Sequence, residues 1–463
     1  MTTFSSSSFD TLLLRLHRRF GARVSNDVDI LAKLAVDESM LPKGKPGGVF
    51  WPLTTAEVVF TVREATSLNI AIVPRGGGTG KVGGCIAQNG ELVIDFSSMN
   101  RILEMHQQDL YAVVEPGLIN IELDHAAAEH GLMYPPDPAS FESCTIGGNI
   151  ATNAGGARAI KYGTTQRYVW GLTLVKADGE VLQMGRRSIK GVAGYDVTSL
   201  IVGSEGTLGL ITEAIMHIIP TPPAVETAWL SFENTTTANL AAERIFATGI
   251  TPRILELLDA PALNAIQHKS EFKIPPAACA LLLETDGRDE IAMNELTTAC
   301  QIAIDHGATD SQIAMSEGDR EAMRRARRLV SSALSELFPF KISDDVAVPR
   351  SRIPELLNTA RGACNKADIE FAAYGHLGDG NIHLNLLCSD AQSRTKADIV
   401  RGELLATVVG LGGTITGEHG IGLSKREQLS LEQSTSLIAL QKQLKFAFDP
   451  KNLINPGKAL PDL

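Results

Sequence analysis

Tyr374-Gly375-His376-Leu377-Gly378-Asp379-Gly380-Asn381-Ile382-His383-Leu384-Asn385 sets two histidines on either side of a glycine-rich turn, and Gly413-Thr414-Ile415-Thr416-Gly417-Glu418-His419-Gly420 later adds a carboxylate and a third histidine. Two imidazoles and one carboxylate with open positions make a ligand set for a divalent cation such as Zn²⁺, Mn²⁺ or Fe²⁺. His419 is then left over beside the site. Singly, histidines such as His17, His125, His217 and His306 read as packed or surface residues. The glycine frames and Glu418 set the other three apart.

A second stretch with chemical content is Arg75-Gly76-Gly77-Gly78-Thr79-Gly80-Lys81-Val82-Gly83-Gly84. Gly78, Gly80 and Gly83 match a dinucleotide fingerprint in spacing, but that fingerprint needs a helix next, and only residues 84–91 separate Gly83 from the next strand. Gly80-Lys81 imitates a triphosphate-binding loop, yet Val82 stands where Ser or Thr must hold Mg²⁺. What survives is a turn whose exposed N–H groups form a nest for a diphosphate. Farther on, Cys144 to Gly156 is dense in small residues, and each glycine in regular structure costs roughly 0.5–1 kcal/mol relative to alanine. A flat buried ligand approaching the backbone would account for that cost.

The elements that must position these groups follow from patterning. At 463 residues the chain exceeds what one core serves, so two or more domains are expected. Leu12, Leu13, Leu16 and Phe20 predict an N-terminal docking helix over Phe9–Phe20, and Thr54 or Thr55 with Glu57 predicts a capping box opening a helix to about Leu68. Strands are expected at 69–74 and 92–96, with a hairpin turning at Asp178-Gly179. Thr221-Pro222-Pro223 reads as the domain boundary. Beyond it, six-residue strands (228–232, 280–285) alternate with helices (236–248, 291–306), giving α+β or α/β character. The helix 318–337 carries Arg320, Arg324, Arg325, Arg327 and Arg328, a run expected to be largely a solvated face.

Composition excludes several classes. With 42 Lys+Arg against 53 Asp+Glu the net charge is −11, and no basic run interleaved with aromatics appears, so no nucleic-acid partner is expected. No signal peptide and no transmembrane segment are apparent, which predicts a cytoplasmic protein. The six cysteines form no CxxC pair and read as reduced packing residues.

Taken in order, Arg75-Gly-Gly-Gly-Thr-Gly80, Pro136-Asp137-Pro138, Thr145-Ile-Gly-Gly-Asn149, Asn153-Ala-Gly-Gly156, Gly203-Ser-Glu-Gly-Thr-Leu-Gly209, His376 to His383, Gly417-Glu-His-Gly420 and Asp449 to Gly457 resemble the FAD-linked 2-hydroxy-acid dehydrogenases of the vanillyl-alcohol oxidase and p-cresol methylhydroxylase superfamily. Within it the resemblance is to the glycolate oxidase FAD subunit and D-lactate dehydrogenase. It implies an α+β fold with a bipartite FAD-binding domain of the p-cresol methylhydroxylase type over 1–220. An α+β substrate and metal domain follows over 221–463, a small antiparallel sheet covered by helices, with the C-terminal tail returning to the FAD domain.

By the same resemblance, noncovalent FAD is bound by Arg75, Gly76, Gly77, Gly78, Thr79, Gly80, Gly83, Gly84, Pro136, Asp137, Thr145, Ile146, Gly148, Asn149, Thr152, Asn153, Gly155, Gly156, Glu205, Gly206, Gly209, Ile211 and Asn455. Lys81 departs from the leucine common in that loop. The metal ligands are His376, His383 and Glu418, with Zn²⁺ expected first and Mn²⁺ or Fe²⁺ as alternatives. His419 is the catalytic base. Arg327, Asn385, Lys341 and Ser331 bind a small D-2-hydroxy acid.

Electrons would pass to a quinone, an electron-transfer protein or iron–sulfur partner subunits. Those subunits could hold the protein at the inner membrane, as a homodimer or hetero-oligomer. Competing readings are an O₂-using oxidase or ether-forming synthase of the same superfamily, and a non-redox metal-binding module.

Overall fold

Leu12, Leu13 and Leu16 do pack inward from a single helix, α1 (Ser6–Phe20), and open the first of two compact units. The computed structural model describes residues 6–338 and 340–461. The first unit takes the chain up to Ala154, Thr164–Thr221 and everything from His419 on; the second takes Gly155–Gly163 and Pro222–Glu418. The chain thus crosses between the units at 154/155, 163/164, 221/222 and 418/419.

In the first unit, β1 (Val24–Ser25), β2 (Gly48–Phe50), β3 (Ile72–Arg75) and β4 (Leu92–Asp95) form a sheet in the order β1-β2-β4-β3. Strand β2 leads through α2 (Thr55–Ser67) to β3, and β4 then inserts between them, parallel to both. The connection from β3 to β4 contains no helix, so the helix that a dinucleotide fingerprint needs is missing. Thr54 caps α2 by accepting from Glu57 N at 3.3 Å. Glu57 departs from the expected box: its carboxylate accepts from Leu53 N at 2.8 Å and grips Arg23 at 2.7 Å. Phe50, Val62, Ile72, Ile94 and, from the far end of the chain, Ile454 share one buried cluster with α1. Each such side chain contributes on the order of 1.5–3 kcal/mol by leaving water.

The unit also holds a five-stranded antiparallel sheet. Its strands are β5 (Ile102–His106), β6 (Tyr111–Val114), β7 (Val169–Val175), β8 (Val181–Gly185) and β9 (Leu210–His217), in the order β5-β6-β9-β7-β8. Between β6 and β7 runs the short helix α3 (Ile146–Thr152).

The second unit is built on the expected antiparallel sheet, seven strands in the order β13-β10-β12-β11-β15-β16-β14. The strands are β10 (Ala224–Phe232), β11 (Ile254–Asp259), β12 (Cys279–Gly287), β13 (Ala308–Ile313), β14 (Phe340–Ala347), β15 (Glu370–His376) and β16 (Asn381–Cys388). Helices α4 (Thr235–Ala247), α5 (Asp289–Asp305), α6 (Glu317–Leu337), α7 (Ile353–Ala367) and α8 (Ala391–Gly410) accompany them. The segment Gly155–Gly163 is fastened to this sheet by Asp286, which accepts from Tyr162 Oη at 2.5 Å and pairs with Lys161.

The architecture is α+β. All six cysteines are free. No helix among the described residues is long and apolar enough to cross a membrane.

Candidate active site

His376 closes β15 and His383 lies early in β16, so the glycine-rich turn is the tip of a hairpin. Gly380 has φ +88°, and a methyl there would run into the Val348 carbonyl, so the turn needs glycine at this position. Register does the rest. His383 pairs with Tyr374, two residues before His376, which puts both imidazoles diagonally on one face of the sheet. On the flanking strands Glu256 pairs with His376 and Asp345 pairs with His383. Since alternate residues share a face, Asn385, Ser343 and Lys341 also belong to it.

Four adjacent strands thus present the row Glu256, His376, His383, Asp345. Glu256 Oε1 accepts a short hydrogen bond from His376 Nδ1, and Asp345 Oδ1 lies 3.9 Å from His383 Nδ1. Both Nε2 atoms are left facing Glu418 Oε1, at 3.5 Å from His376 and 3.8 Å from His383. Glu418 is held there by its own backbone: Asp345 Oδ2 accepts from Glu418 N at 2.8 Å and from Gly417 N at 3.0 Å.

The three donor atoms lie within 4.8 Å of one another. Ligand atoms about 2.1 Å from a tetrahedral ion stand about 3.4 Å apart, so this spacing and donor set fit a divalent cation. A carboxylate behind each imidazole is the arrangement that fixes the ring and its tautomer for ligation through Nε2.

The electrostatics follow from this crowding. Burial disfavours charge on His376, but the carboxylates of Glu256 and Glu418 outweigh it and hold the imidazole well above its ordinary value. Burial likewise would raise the Glu256 carboxyl, yet the Arg327 guanidinium and His376 hold it down to about 2. Arg327 Nε stands 2.6 Å from Glu256 Oε2, with the guanidinium carbon 4.8 Å from the Tyr374 ring centre. One turn along α6, Ser331 accepts from Lys341 Nζ through its carbonyl at 2.9 Å and its hydroxyl at 3.2 Å. Asn385 is fully buried and donates to His383 O at 3.0 Å.

Arg327 therefore reaches the histidine pair through Glu256 and Asn385 follows His383 on the same face, while Lys341 and Ser331 bond each other four residues along β14 from Asp345. The arginine run itself is not a largely solvated face. Arg325 and Arg328 are exposed, whereas Arg324 reaches the buried Glu284 at 2.5 Å, Arg320 pairs with Glu226 at 3.2 Å, and Arg327 takes Glu256.

Glu256 and Asp345 are the residues that motif reading missed. Each sits 120 or 38 positions from its histidine, and the sole local signal was a lone acid in Ile254-Leu-Glu-Leu-Leu258 and an acidic pair in β14.

In the first unit the glycine-rich loop leaves the end of β3. Among the described residues, none of the amides of Gly76, Gly77, Gly78, Thr79 and Gly80 donates to a protein acceptor. Side chains would also fill the cradle: a methyl at Gly76 meets the Thr145 hydroxyl and one at Gly77 meets the Ser143 carbonyl. Such a run of free amides fits an anionic diphosphate.

Arg75 lies beneath Gly78 of the loop and donates to Leu34 O and Cys85 Sγ, each at 3.3 Å. Thr145 caps α3, which Ile146, Gly148, Asn149 and Thr152 build, and Asn153 ends it at φ +51°. Asn120 holds Pro136 O at 3.2 Å, next to Asp137. Asn455 donates to Gly84 O at 2.9 Å and Glu205 O at 2.8 Å, tying the loop of Gly83 and Gly84 to Glu205, Gly206 and the turn through Gly209 that enters β9 at Leu210-Ile211. Gly155 and Gly156 lie in the second unit, and His419 lies in the first.

Residues 221–459 match the FAD linked oxidases, C-terminal domain, and residues 46–185 match an FAD binding domain. The chain belongs to the FAD-linked oxidase family. This FAD-linked oxidase is 40% identical to glycolate oxidase subunit GlcD of Bacillus subtilis (strain 168), over 89% of its own length and 88% of that protein. It is 32% identical to D-2-hydroxyglutarate dehydrogenase of Stutzerimonas stutzeri (strain A1501), over 94% and 96%. Its fold is similar to that of p-cresol methylhydroxylase with substrate bound, with a TM-score of 0.83 at 17% identity and coverage of 99% and 98%. The FAD-binding match contains the free-amide loop and α3. The C-terminal match contains the seven-stranded sheet, both histidines and Glu418.

Proposed function

We propose that this FAD-linked oxidase dehydrogenates a small D-2-hydroxy acid of the glycolate or D-lactate type to the 2-oxo acid. The observation that carries the reading is the in-register row of Glu256, His376, His383 and Asp345 facing Glu418, with Arg327 beside it. Such a row would place a cation next to the Arg327 guanidinium, an arrangement suited to an acid whose carboxylate and hydroxyl are adjacent. The names of the two relatives support the same substrate class.

When bound, FAD would supply a hydride acceptor and the divalent cation, Zn²⁺ first among Zn²⁺, Mn²⁺ and Fe²⁺, a Lewis acid that acidifies the substrate hydroxyl. His376 and His383 would hold the cation through Nε2 and Glu418 through Oε1. Arg327, with Lys341 and Ser331 behind it, would take the substrate carboxylate, and Asn385 would line the same face. His419, the residue after Glu418 in the chain, would receive the hydroxyl proton on its imidazole as the C2–H bond breaks. The loop of Gly76–Gly80 would hold the FAD diphosphate noncovalently, with α3, Pro136-Asp137, Gly155-Gly156 and the Gly206–Gly209 turn around the rest. Electrons would leave to a quinone, an electron-transfer protein or iron–sulfur partner subunits of a cytoplasmic enzyme.

Anaerobic mixing with glycolate, D-lactate, D-2-hydroxyglutarate and L-lactate tests this. Bleaching of the oxidised-flavin band by a D-acid or glycolate, but not by L-lactate, is the expected result. Chelation should abolish it and re-added cation restore it. A flavin that no hydroxy acid bleaches sinks the reading, rapid reoxidation by air makes the protein an oxidase, and a colourless protein makes it a metal-binding module. His419→Ala should retain flavin and lose turnover.

A further inference from the structure

Glu205 is 8% exposed, sits at φ +54° and belongs to the first unit, as does His419. Its carboxylate is spent on the backbone just beyond His419-Gly420: Oε1 accepts from Ile421 N at 2.8 Å and Oε2 from Gly422 N at 2.7 Å. Gly420, at φ +86°, leaves room for this, since a methyl there would lie 3.1 Å from Glu205 Oε1. The same strap is fixed one step farther on by Val82, whose carbonyl accepts from Leu423 N at 2.7 Å. Glu205 itself is immobilised on three sides. Its amide donates to Ala151 O at 2.7 Å at the end of α3, its carbonyl accepts from Asn455 at 2.8 Å, and Gly206 is wedged against Pro74 of β3.

A buried carboxylate with both oxygens on consecutive amides sets the path of the backbone more tightly than a solvated one. We infer that Glu205 is a positioning residue for His419, aiming the imidazole by holding the two amides that follow Gly420. This rests on the reading of His419 as the base. It also gives the Glu205 carboxylate a task other than touching the cofactor.

Glu205→Gln tests it, because the isosteric amide puts a donor against one of the two N–H groups. The FAD dissociation constant and flavin spectrum should stay within about two-fold of the parent, while anaerobic flavin reduction by the hydroxy acid falls about 10²-fold, the scale of a misplaced reacting group. Glu205→Asp, which keeps two acceptor oxygens, should recover part of that loss. Imidazole supplied to His419→Ala needs no strap, so His419→Ala and the double variant with Glu205→Gln should be rescued to the same rate.

Loss of flavin from Glu205→Gln, a parental reduction rate in it, or weaker rescue of the double variant would overturn the assignment. Should Glu205→Gln not fold, the Asp variant decides by the same pair of readouts. Failure of the underlying reading looks different: His419→Ala alone would then keep turning over.

Discussion

Glu256 shows how much a single buried carboxylate can decide. It faces Arg327 on one side and His376 on the other, and the charge it keeps there orients the imidazole whose far nitrogen points at Glu418. Replacing it by Gln removes that charge but little volume, so the protein should fold and bind Zn²⁺ or Mn²⁺ 10- to 100-fold more weakly, as losses behind a ligand generally do. Competition against a chromophoric chelator measures this, and unchanged affinity would mean that Glu256 serves only Arg327.

The histidines and Glu418 were legible because glycine frames mark them locally. Glu256 and Asp345 were not, since strand register joins positions far apart in sequence and leaves no trace in either segment. The arginines of α6 misled for a related reason: a charge run looks solvated until the carboxylates Glu226, Glu256 and Glu284 on the facing sheet are known.

Elements carry their own tests. In β9, His217 stacks on Trp170 of β7 with ring centres 4.3 Å apart and bonds Leu110 O through Nδ1 at 2.8 Å. Burial lowers its pKa. The folded state thus resists a proton that the unfolded chain accepts near pH 6.5, so the associated stability is present above that pH and lost as pH falls below it. Melting curves between pH 8 and 5 should show a smaller acid-side loss for His217→Phe than for the parent.

The hairpin tip makes a second case. Gly380→Ala places a side chain at φ +88° against the Val348 carbonyl and should cost roughly 1–3 kcal/mol, with reduced cation content in the purified protein. The turn was readable from its glycines. The parallel placement of β4 between β2 and β3 was not, because a non-helical connection between neighbouring parallel strands has no periodic signature.

At the level of the whole molecule, the second unit is bracketed by the first: the chain leaves at Thr221, returns at His419, and ends with Ile454 in the core that α1 began. Ile454 bridges β3, and Asn455 N donates to Ile72 O at 2.7 Å. Removing residues 449–463 should therefore cost FAD retention and solubility rather than trimming a tail, which flavin content and sedimentation would show; a soluble, yellow truncation would contradict it. Ribosomal synthesis runs in one direction, so every residue of the seven-stranded sheet emerges before the piece that seals the first core. For that interval the newborn polypeptide lacks the Ile454 cover over Ile72, and its yield in cells should depend on chaperones that shield such surface until Ile454 arrives.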